Sequence, residues 1–235
     1  MPRLIIAFLV SEIAYVASAR LLVRNFDGPL IHLELWWTLL RFVSAIVLAF
    51  LFLRPGDAHP TKPARIPARG AIALGMLLAP LLVGNAGLQG MERFLFAATS
   101  LVVGLREELA YRGILQRFLT PRLGLAASLS VSNLAFVAYH WGVHPFTPHY
   151  VLQVFLCGMI LGVVYHLSGS IALVIGLHAA YDAIDSFSPY FAPRFPDFVC
   201  TVVLSLTLGM LLLRGRTRAP TAPRVPCQRP TDKAG

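Results

Sequence analysis

The sequence predicts an all-α integral membrane protein, a single helical bundle with about eight transmembrane helices. Hydrophobic residues make up 57% of the 235-residue chain and charged residues only 13%, whereas an ordinary soluble domain is about 25% charged. The mean hydropathy is +0.69, and the apolar residues gather in long uninterrupted stretches. These three observations exclude an ordinary soluble domain.

Eight apolar stretches are candidate spans, judged against the roughly 17–25 residues that a transmembrane helix needs. The seventh is short and polar at one end, so we expect it to be tilted or broken. We expect Pro80 to kink the third. In chain order the stretches are Leu4–Val23, Leu33–Leu53, Ala71–Leu88, Phe94–Phe118, Leu123–Tyr139, Tyr150–Leu167, Ile171–Ile184 and Phe198–Leu213.

The first stretch has some features of a signal peptide, with Arg3 before an apolar run and small residues at 17–19 after it. Glu12 interrupts the run, and cleavage would leave an odd number of spans. We therefore expect the stretch to be retained as a transmembrane helix.

Basic residues indicate the orientation in the membrane. With eight spans both termini lie on one side, together with the loop of residues 54–69 and the tail, which are rich in basic residues and Pro. The positive-inside rule then places both termini in the cytoplasm, and the composition suggests a bacterial inner membrane. We expect residues 1–213 to form one membrane domain and residues 214–235 to be a disordered, basic cytoplasmic tail.

The net charge of +9 does not indicate a nucleic-acid-binding protein, because the basic residues are not interleaved with exposed aromatic residues. Cys157, Cys200 and Cys227 are far apart in the chain. They fit neither a CxxC site nor a disulfide framework. The lipid bilayer is the partner that the composition predicts.

Two adjacent carboxylates, Glu107 and Glu108, lie in the fourth apolar stretch with Arg106 and Arg112. Charges at membrane depth cost about 2.5–3.5 kcal/mol each, so they persist mainly where they pair or perform chemistry. Glu108 and Arg112 have the i,i+4 spacing and order of a favourable ion pair. Glu107 points about 100° away, so we expect it to face a cavity as a base. Arg106 could compensate Glu107 or line the substrate entrance.

Two further polar features lie in apolar sequence. His140 follows Phe136 by four residues, and His178 precedes Asp182 by four. Each feature alone is more often a hydrogen-bonded core group than a functional site. Their joint occurrence with the two carboxylates predicts an intramembrane active site, because each one costs insertion free energy.

The patterns Glu-Glu-x-x-x-Arg, Phe-x-x-x-His and His-x-x-x-Asp occur in this order, each in its own span. In this the chain resembles the CPBP family, the CAAX prenyl endopeptidase and bacteriocin-processing intramembrane proteases, also called the Abi family. The resemblance covers about residues 94–185 and agrees with the eight-span fold of that family. It implies an endopeptidase for a membrane-anchored substrate, with prenylated tails, bacteriocin leader peptides and C-terminal sorting signals as alternative substrate classes.

The resemblance also implies roles for the residues of the first two patterns. Glu107 and His140 would activate the attacking water, and Glu108 with Arg112 would order the helix and the site. These roles agree with what peptide hydrolysis requires, namely a base for water and a proton donor for the leaving amine. No serine or cysteine has the sequence context of a nucleophile, so direct attack by water is favoured.

The third pattern departs from the commonest form of the family. His178 and the residue at position 182 would stabilise the oxyanion, but many members have asparagine where this chain has Asp182. An ionised aspartate would repel an oxyanion. Asp182 must then be protonated, accept a hydrogen bond from His178 or act as a ligand, so the electrophilic role depends mainly on His178.

A metal ion is an alternative way to activate water. Glu107, His140 and His178 could form the two-histidine, one-carboxylate ligand set of a catalytic zinc. The HExxH pattern of common zinc proteases is absent, and we favour water activation without a metal.

Two other functions compete with proteolysis. One is a non-catalytic membrane scaffold or bacteriocin self-immunity protein, in which Glu107 and His140 would be structural. The other is a small proton-coupled transporter, because buried Glu, His and Asp also build proton relays. The absence of an inverted repeat counts against a transporter. The sequence leaves the oligomeric state open.

Overall fold

The described part of the chain is built from helices. The computed structural model describes residues 2–53, 90–141, 147–187 and 196–216, and no strand occurs within these ranges. One helix contains a π-helical segment, in which hydrogen bonds reach five residues along the chain. The elements in chain order are α1 (Pro2–Asn25), α2 (Leu30–Phe52), α3 (Met91–Glu108), the π segment (Leu109–Gln116), α4 (Arg117–Tyr139), α5 (Pro148–Ser168), α6 (Ile171–Phe187) and α7 (Pro196–Arg216).

Among the described residues, three helices are long and apolar enough to cross a membrane: Arg3–Asn25, Leu30–Phe52 and Tyr150–Ser168. The predicted all-helical class is thus confirmed, while the number of eight spans stays a prediction. The third predicted span, Ala71–Leu88, lies outside the described residues. Of the predicted tail, residues 214–216 continue α7 and residues 217–235 lie outside the described part.

The chain runs from α3 through the π segment into α4 without a loop. The sequence predicted separate spans at Phe94–Phe118 and Leu123–Tyr139, and the break between them falls at Gly124, with φ 76° and ψ 170°. Glycine adopts this conformation readily because it has no Cβ. The helical run of α4 thus consists of two helices that meet at a kink at Gly124, next to the predicted start of the second span at Leu123.

Helix α3 packs between α2 and α6. A Cβ on Gly104 would lie 3.0 Å from the carbonyl oxygen of Ile175 on α6, so the close approach of α3 and α6 depends on this glycine. On the other side, Thr99 contacts Glu34 near the start of α2 and Arg106 contacts Ser44 further along it. Helices α2 and α3 therefore run in the same direction, and α3 is enclosed from two sides.

Two apolar clusters stabilise the bundle. One joins α5, α6 and α7 through residues such as Ile160, Val174 and Leu204, and the other joins α1, α2, the π segment and α4. Large apolar side chains of α1 and α2 also point outward, with Ile13 67% and Phe50 86% exposed. An outward apolar surface is what contact with lipid requires.

Candidate active site

The first of the two adjacent carboxylates, Glu107, faces a cavity at the end of α3. Its side chain is only 3% exposed, and its Oε2 lies 4.0 Å from Nε2 of His140 and 3.8 Å from Nε2 of His178. Both distances are too long for a direct hydrogen bond. This Oε2 has no hydrogen-bond partner among the described residues. Glu107 is therefore a buried carboxylate with one oxygen directed at two imidazole rings.

The second carboxylate, Glu108, is fully buried and connects two helices. Its Oε1 accepts a hydrogen bond from Nη1 of Arg112 at 3.1 Å and another from Nδ1 of His178 at 2.7 Å. The first contact is the ion pair expected from the i,i+4 spacing. The second reaches α6, 70 positions further along the chain. The two neighbouring carboxylates thus have different surroundings. Glu108 is bound through Oε1, with only Oε2 unpartnered among the described residues, whereas Glu107 lines the cavity.

The π segment is tied to α5 through the side chains of Arg112 and Gln116. Nη2 of Arg112 donates to the carbonyl oxygen of Gly158 at 2.8 Å, and Nε2 of Gln116 donates to that of Gly162 at 3.0 Å. A Cβ on Gly158 would lie 3.0 Å from Nη2 of Arg112 and would collide with the side chain of Asn133. The packing of α5 against both α4 and the π segment therefore requires glycine at position 158.

The ring of His140, directly after α4, is oriented by the backbone. Its Nδ1 lies 2.9 Å from the carbonyl oxygen of Phe136, and because a carbonyl oxygen only accepts, Nδ1 carries the proton of this bond. The rings of Phe136 and Tyr139 contact the imidazole edge to face, with centroids 4.7 and 4.9 Å away. The remaining nitrogen, Nε2, is thereby directed toward Glu107, and in a neutral ring it is an acceptor.

The imidazole of His178 on α6 is buried among three carboxylates. Nδ1 bonds to Glu108, while Nε2 lies 3.8 Å from Glu107 and 3.6 Å from Oδ2 of Asp182. The side chain of Asp182 is 32% exposed, the most exposed of these groups. The i,i+4 pair of His178 and Asp182 is thus only a long contact, and the firm hydrogen-bond partner of the ring is Glu108.

These side chains surround one cavity of about 530 Å³, whose wall includes residues of α2, α3, α5 and α6. Four of the six predicted site residues line it: Glu107, His140, His178 and Asp182. The other two, Glu108 and Arg112, are buried behind the wall and hold His178 and α5. The structure therefore brings all six residues to one place, although they come from four helical segments.

The candidate zinc ligands Glu107, His140 and His178 lie close together, but the measured distances between their ligand atoms are longer than those around a bound zinc ion. Tetrahedral zinc with bonds of about 2.0–2.2 Å brings its ligand atoms roughly 3.4 Å apart. The corresponding separations of Glu107 from His140 and His178 are 4.0 and 3.8 Å. Within the described ranges, no group of three His, Cys, Asp or Glu side chains is arranged to hold a metal ion.

One buried ion pair beside the site was not predicted from the sequence. Arg106 neither pairs with Glu107 nor lines the cavity. It is fully buried against α1, where its Nη2 donates to Glu12 at 2.7 Å and its guanidinium lies 3.8 Å from the ring centre of Tyr15. The available signal was Glu12 itself, because a lone carboxylate in an apolar span requires a partner.

A second unpredicted pair lies on α2, where Nη1 of Arg41 donates to Oε1 of Glu34 at 2.8 Å. Both side chains are buried, and both residues line the 530 Å³ cavity. Their seven-residue separation is about two helical turns, which places them on one face. That spacing of opposite charges inside an apolar stretch was the signal that could have identified them.

Comparison with known proteins agrees with the predicted family over the segment that carries the site. Residues 89–184 match the family model described as type II CAAX prenyl endopeptidase Rce1-like. No curated protein and no solved structure matches the chain. The apolar helices agree with an integral membrane protein, and the matched family is one of prenyl endopeptidases. The predicted resemblance to the CPBP family is thereby confirmed, since over residues 89–184 the chain is similar to the Rce1-like type II CAAX prenyl endopeptidases.

Proposed function

We propose that this protein is an intramembrane endopeptidase in which Glu107 and His140 activate a water molecule for attack on a peptide bond. The observation that carries the proposal is the unpartnered Oε2 of Glu107, which faces Nε2 of His140 and of His178 at a cavity. A buried carboxylate oxygen without a partner costs free energy. An ionisable group kept inside a membrane at such a cost, beside a cavity, is a functional-site hypothesis by default.

The space between Glu107 and His140 suits a reacting water. Their 4.0 Å separation is too long for a direct hydrogen bond and short enough for one water to contact both acceptors. The water oxygen attacks the carbonyl carbon, and one water proton passes to Glu107 or His140. The same group then gives this proton to the leaving amine nitrogen. The reaction thus yields a carboxylic acid and an amine without an outside proton source.

His178 has the position of an oxyanion donor in this scheme. Its Nδ1–H is bound to Glu108, which Arg112 holds in turn, so the imidazolium form has Nε2–H left to donate. Removal of one such donor from an oxyanion hole raises the activation free energy by about 2.7–4 kcal/mol. Asp182, whose Oδ2 lies 3.6 Å from the same Nε2, then balances the charge of the imidazolium and does not contact the oxyanion.

The substrate class is proposed from the family description, which names CAAX prenyl endopeptidases. We expect a membrane-anchored protein that is cut near the bilayer surface. Prenylated C-terminal tails, leader peptides and C-terminal sorting signals are the classes to compare. Both termini are expected in the cytoplasm of a bacterial cell, with the membrane domain spanning residues 1–213.

Cleavage of candidate membrane-anchored substrates, measured in proteoliposomes, tests the proposal. The wild type is compared with Glu107→Gln and His140→Ala, and Glu92→Gln at the start of α3 is the matched control. We expect a loss of roughly 10²–10⁴-fold in rate for the two site variants, as for removal of a general base. Protein abundance and melting temperature are recorded for each variant.

Two outcomes would contradict the proposed mechanism. Cleavage by Glu107→Gln at the wild-type rate, with normal abundance, would leave the non-catalytic scaffold as the better function. Loss of cleavage on treatment with a chelator, restored by zinc, would replace side-chain activation of water by a metal-dependent reaction.

A further inference from the structure

The cavity has a second polar region, formed by Glu34 and Arg41 on α2 with Thr99 on α3. Oε1 of Glu34 accepts from Nη1 of Arg41 at 2.8 Å and from Oγ1 of Thr99 at 3.0 Å. It also accepts from Oγ1 of Thr38 at 3.4 Å. Glu34 is therefore held by three donors and ties α2 to α3. None of these residues takes part in the proposed activation of water.

Arg41, in contrast, has unused hydrogen-bonding capacity. An arginine carries five N–H donors in a planar fork, and the bond to Glu34 uses one of them. Its Nε has no partner in the described part of the chain, although the residue is only 8% exposed and lines the cavity. The guanidinium also lies 4.4 Å from the ring centre of Trp37. Stacking on Trp37 and the bond to Glu34 fix the fork in one orientation.

A buried guanidinium edge without a partner is suited to a planar anion. Carboxylates accept two parallel N–H bonds from Nε and an Nη of arginine, and such bidentate pairs are stronger than neutral hydrogen bonds. Leaving a buried donor unpaired costs free energy. An incoming carboxylate would remove this cost.

The α6 side of the cavity, with two carboxylates and the imidazole of His178, is more acidic than the α2 side, where Arg41 balances Glu34. Asp182 and Asp185 of α6 also line the cavity, so an anionic group there would be repelled. A carboxylate on a bound ligand would therefore be directed to the α2 side. The charge distribution thus favours one orientation of a bound peptide, with its carboxylate toward α2.

We infer that Arg41 is a specificity-determining residue that binds a carboxylate of the peptide substrate, an inference that rests on the proposed endopeptidase function. Ser44, one turn after Arg41 on α2, contacts Arg106, the neighbour of Glu107. Arg41 is thus roughly one helical turn, about 5 Å along the axis, from the level of Glu107. At about 3.3 Å per extended residue, the bound carboxylate belongs to a residue within a few positions of the scissile bond. It is either the C-terminal carboxylate or an acidic side chain on that side.

Binding of matched peptides tests this inference without relying on cleavage. The probes are dye-labelled eight-residue peptides with a farnesylated cysteine fourth from the C terminus. One peptide ends in a free carboxylate, one in an amide, and one in an amide with aspartate directly after the cysteine. Dissociation constants are measured in liposomes on the full chain carrying Glu107→Gln, so that no peptide is consumed.

Four variants are compared in that background. Arg41→Lys keeps a charge for Glu34 but lacks the fork, while Arg41→Gln removes the charge. Glu34→Gln with Arg41→Gln removes both charges, so that no unpaired carboxylate is left to unfold the protein. Arg24→Gln, on the exposed end of α1, is the matched control.

We expect the protein with Arg41 to bind at least one carboxylate peptide about ten- to a hundredfold more tightly than the plain amide, the range for a charge-assisted hydrogen bond. All three Arg41 variants should reduce this ratio to about one, and Arg24→Gln should leave it unchanged. A preference for the free acid identifies the C terminus, and a preference for the aspartate peptide identifies a side chain.

The inference is overturned if neither carboxylate peptide binds better than the amide, if none binds, or if the preference survives in the Arg41 variants. Cleavage of the same peptides by the chain with an intact Glu107 is measured in parallel. Absent cleavage with an Arg41-dependent preference would contradict the catalytic proposal alone. Cleavage that is equal for acid and amide peptides would contradict the role of Arg41 alone.

Discussion

Arg106 and Glu107 are neighbours in the sequence but lie in contrasting surroundings. Arg106 is fully buried, bound to Glu12 and placed 3.8 Å from the ring centre of Tyr15. Glu107 lines a cavity, and one of its oxygens has no partner in the described part of the chain. The protein itself neutralises the first charge and leaves the second open to a ligand. Of these two neighbouring charges, only Glu107 combines an unpartnered oxygen with an adjoining cavity, and this is why we assign function to it and not to Arg106.

The largest effect on stability is expected when the ion pair of Glu12 and Arg106 is broken. Arg106→Met would leave Glu12 buried without a partner, and loss of one member of a buried ion pair costs about 3–5 kcal/mol. We expect a lower midpoint of denaturation in mild detergent and lower abundance. Glu107→Gln, at the open position, should keep a midpoint close to that of the wild type.

Glu12→Gln combined with Arg106→Met is the matched control, because it removes both charges together. It should recover most of the lost stability. If Arg106→Met were as stable as the wild type while Glu107→Gln unfolded, the assignment of structural and functional roles to the two residues would have to be exchanged.

A smaller effect is expected at the glycine contact between the π segment and α5. Gly158→Ala adds a Cβ that would collide with Oδ1 of Asn133 on α4 and lie 3.0 Å from Nη2 of Arg112, and overpacking of this kind costs about 1–3 kcal/mol. The displaced Arg112 should also loosen Glu108 and lower the cleavage rate per folded molecule. Both quantities are measured on purified protein in liposomes.

Gly176→Ala on α6 is the matched control for this prediction, because a Cβ there would meet no atom of the described residues within 4 Å. We expect it to be neutral or stabilising, since alanine favours a helix over glycine. Equal destabilisation by both substitutions would mean that helix flexibility, and not the contact with Arg112, sets the stability.

The smallest effect is expected at Asp182, at the exposed edge of the cavity, and it concerns the cleavage rate. Asp182 makes only a 3.6 Å contact with His178 and is 32% exposed, so Asp182→Asn should change the cleavage rate by less than about tenfold, compared with the 10²–10⁴-fold of a general base. A rate loss as large as that of Glu107→Gln would assign Asp182 to the reacting atoms. Cleavage rates of Asp182→Asn and Glu107→Gln, measured with the same substrate, distinguish a small loss from a large one.

Local spacing in the sequence predicted those contacts that one helix determines. The pair of Glu108 and Arg112 forms because residues four apart share a helix face. The different orientation of Glu107 follows from the same geometry. The helical class follows from composition, because a membrane requires backbone hydrogen bonds to be satisfied within each segment.

Contacts between helices could not be predicted in this way. Glu12 and Arg106 are 94 positions apart, and Glu34 and Thr99 are 65 apart. Nothing in local periodicity states which charge in one span meets which polar group in another. The partner of His178 illustrates this limit, since its neighbour Asp182 was one of the expected possibilities but Glu108 of α3 makes the short bond.

The π segment of residues 109–116 makes chain length, as well as residue identity, a determinant of the site. A π-helix accommodates more residues per turn than an α-helix, so it offsets the faces of the helices before and after it. One residue more or less in an α-helix rotates everything beyond it by about 100°. Shortening this segment by a single residue would keep all six candidate site residues in the sequence. It would nevertheless remove the extra residue that the wide turns accommodate and so change the angle between Glu107 and Gln116, on which the joint formation of the cavity and the contact with α5 depends.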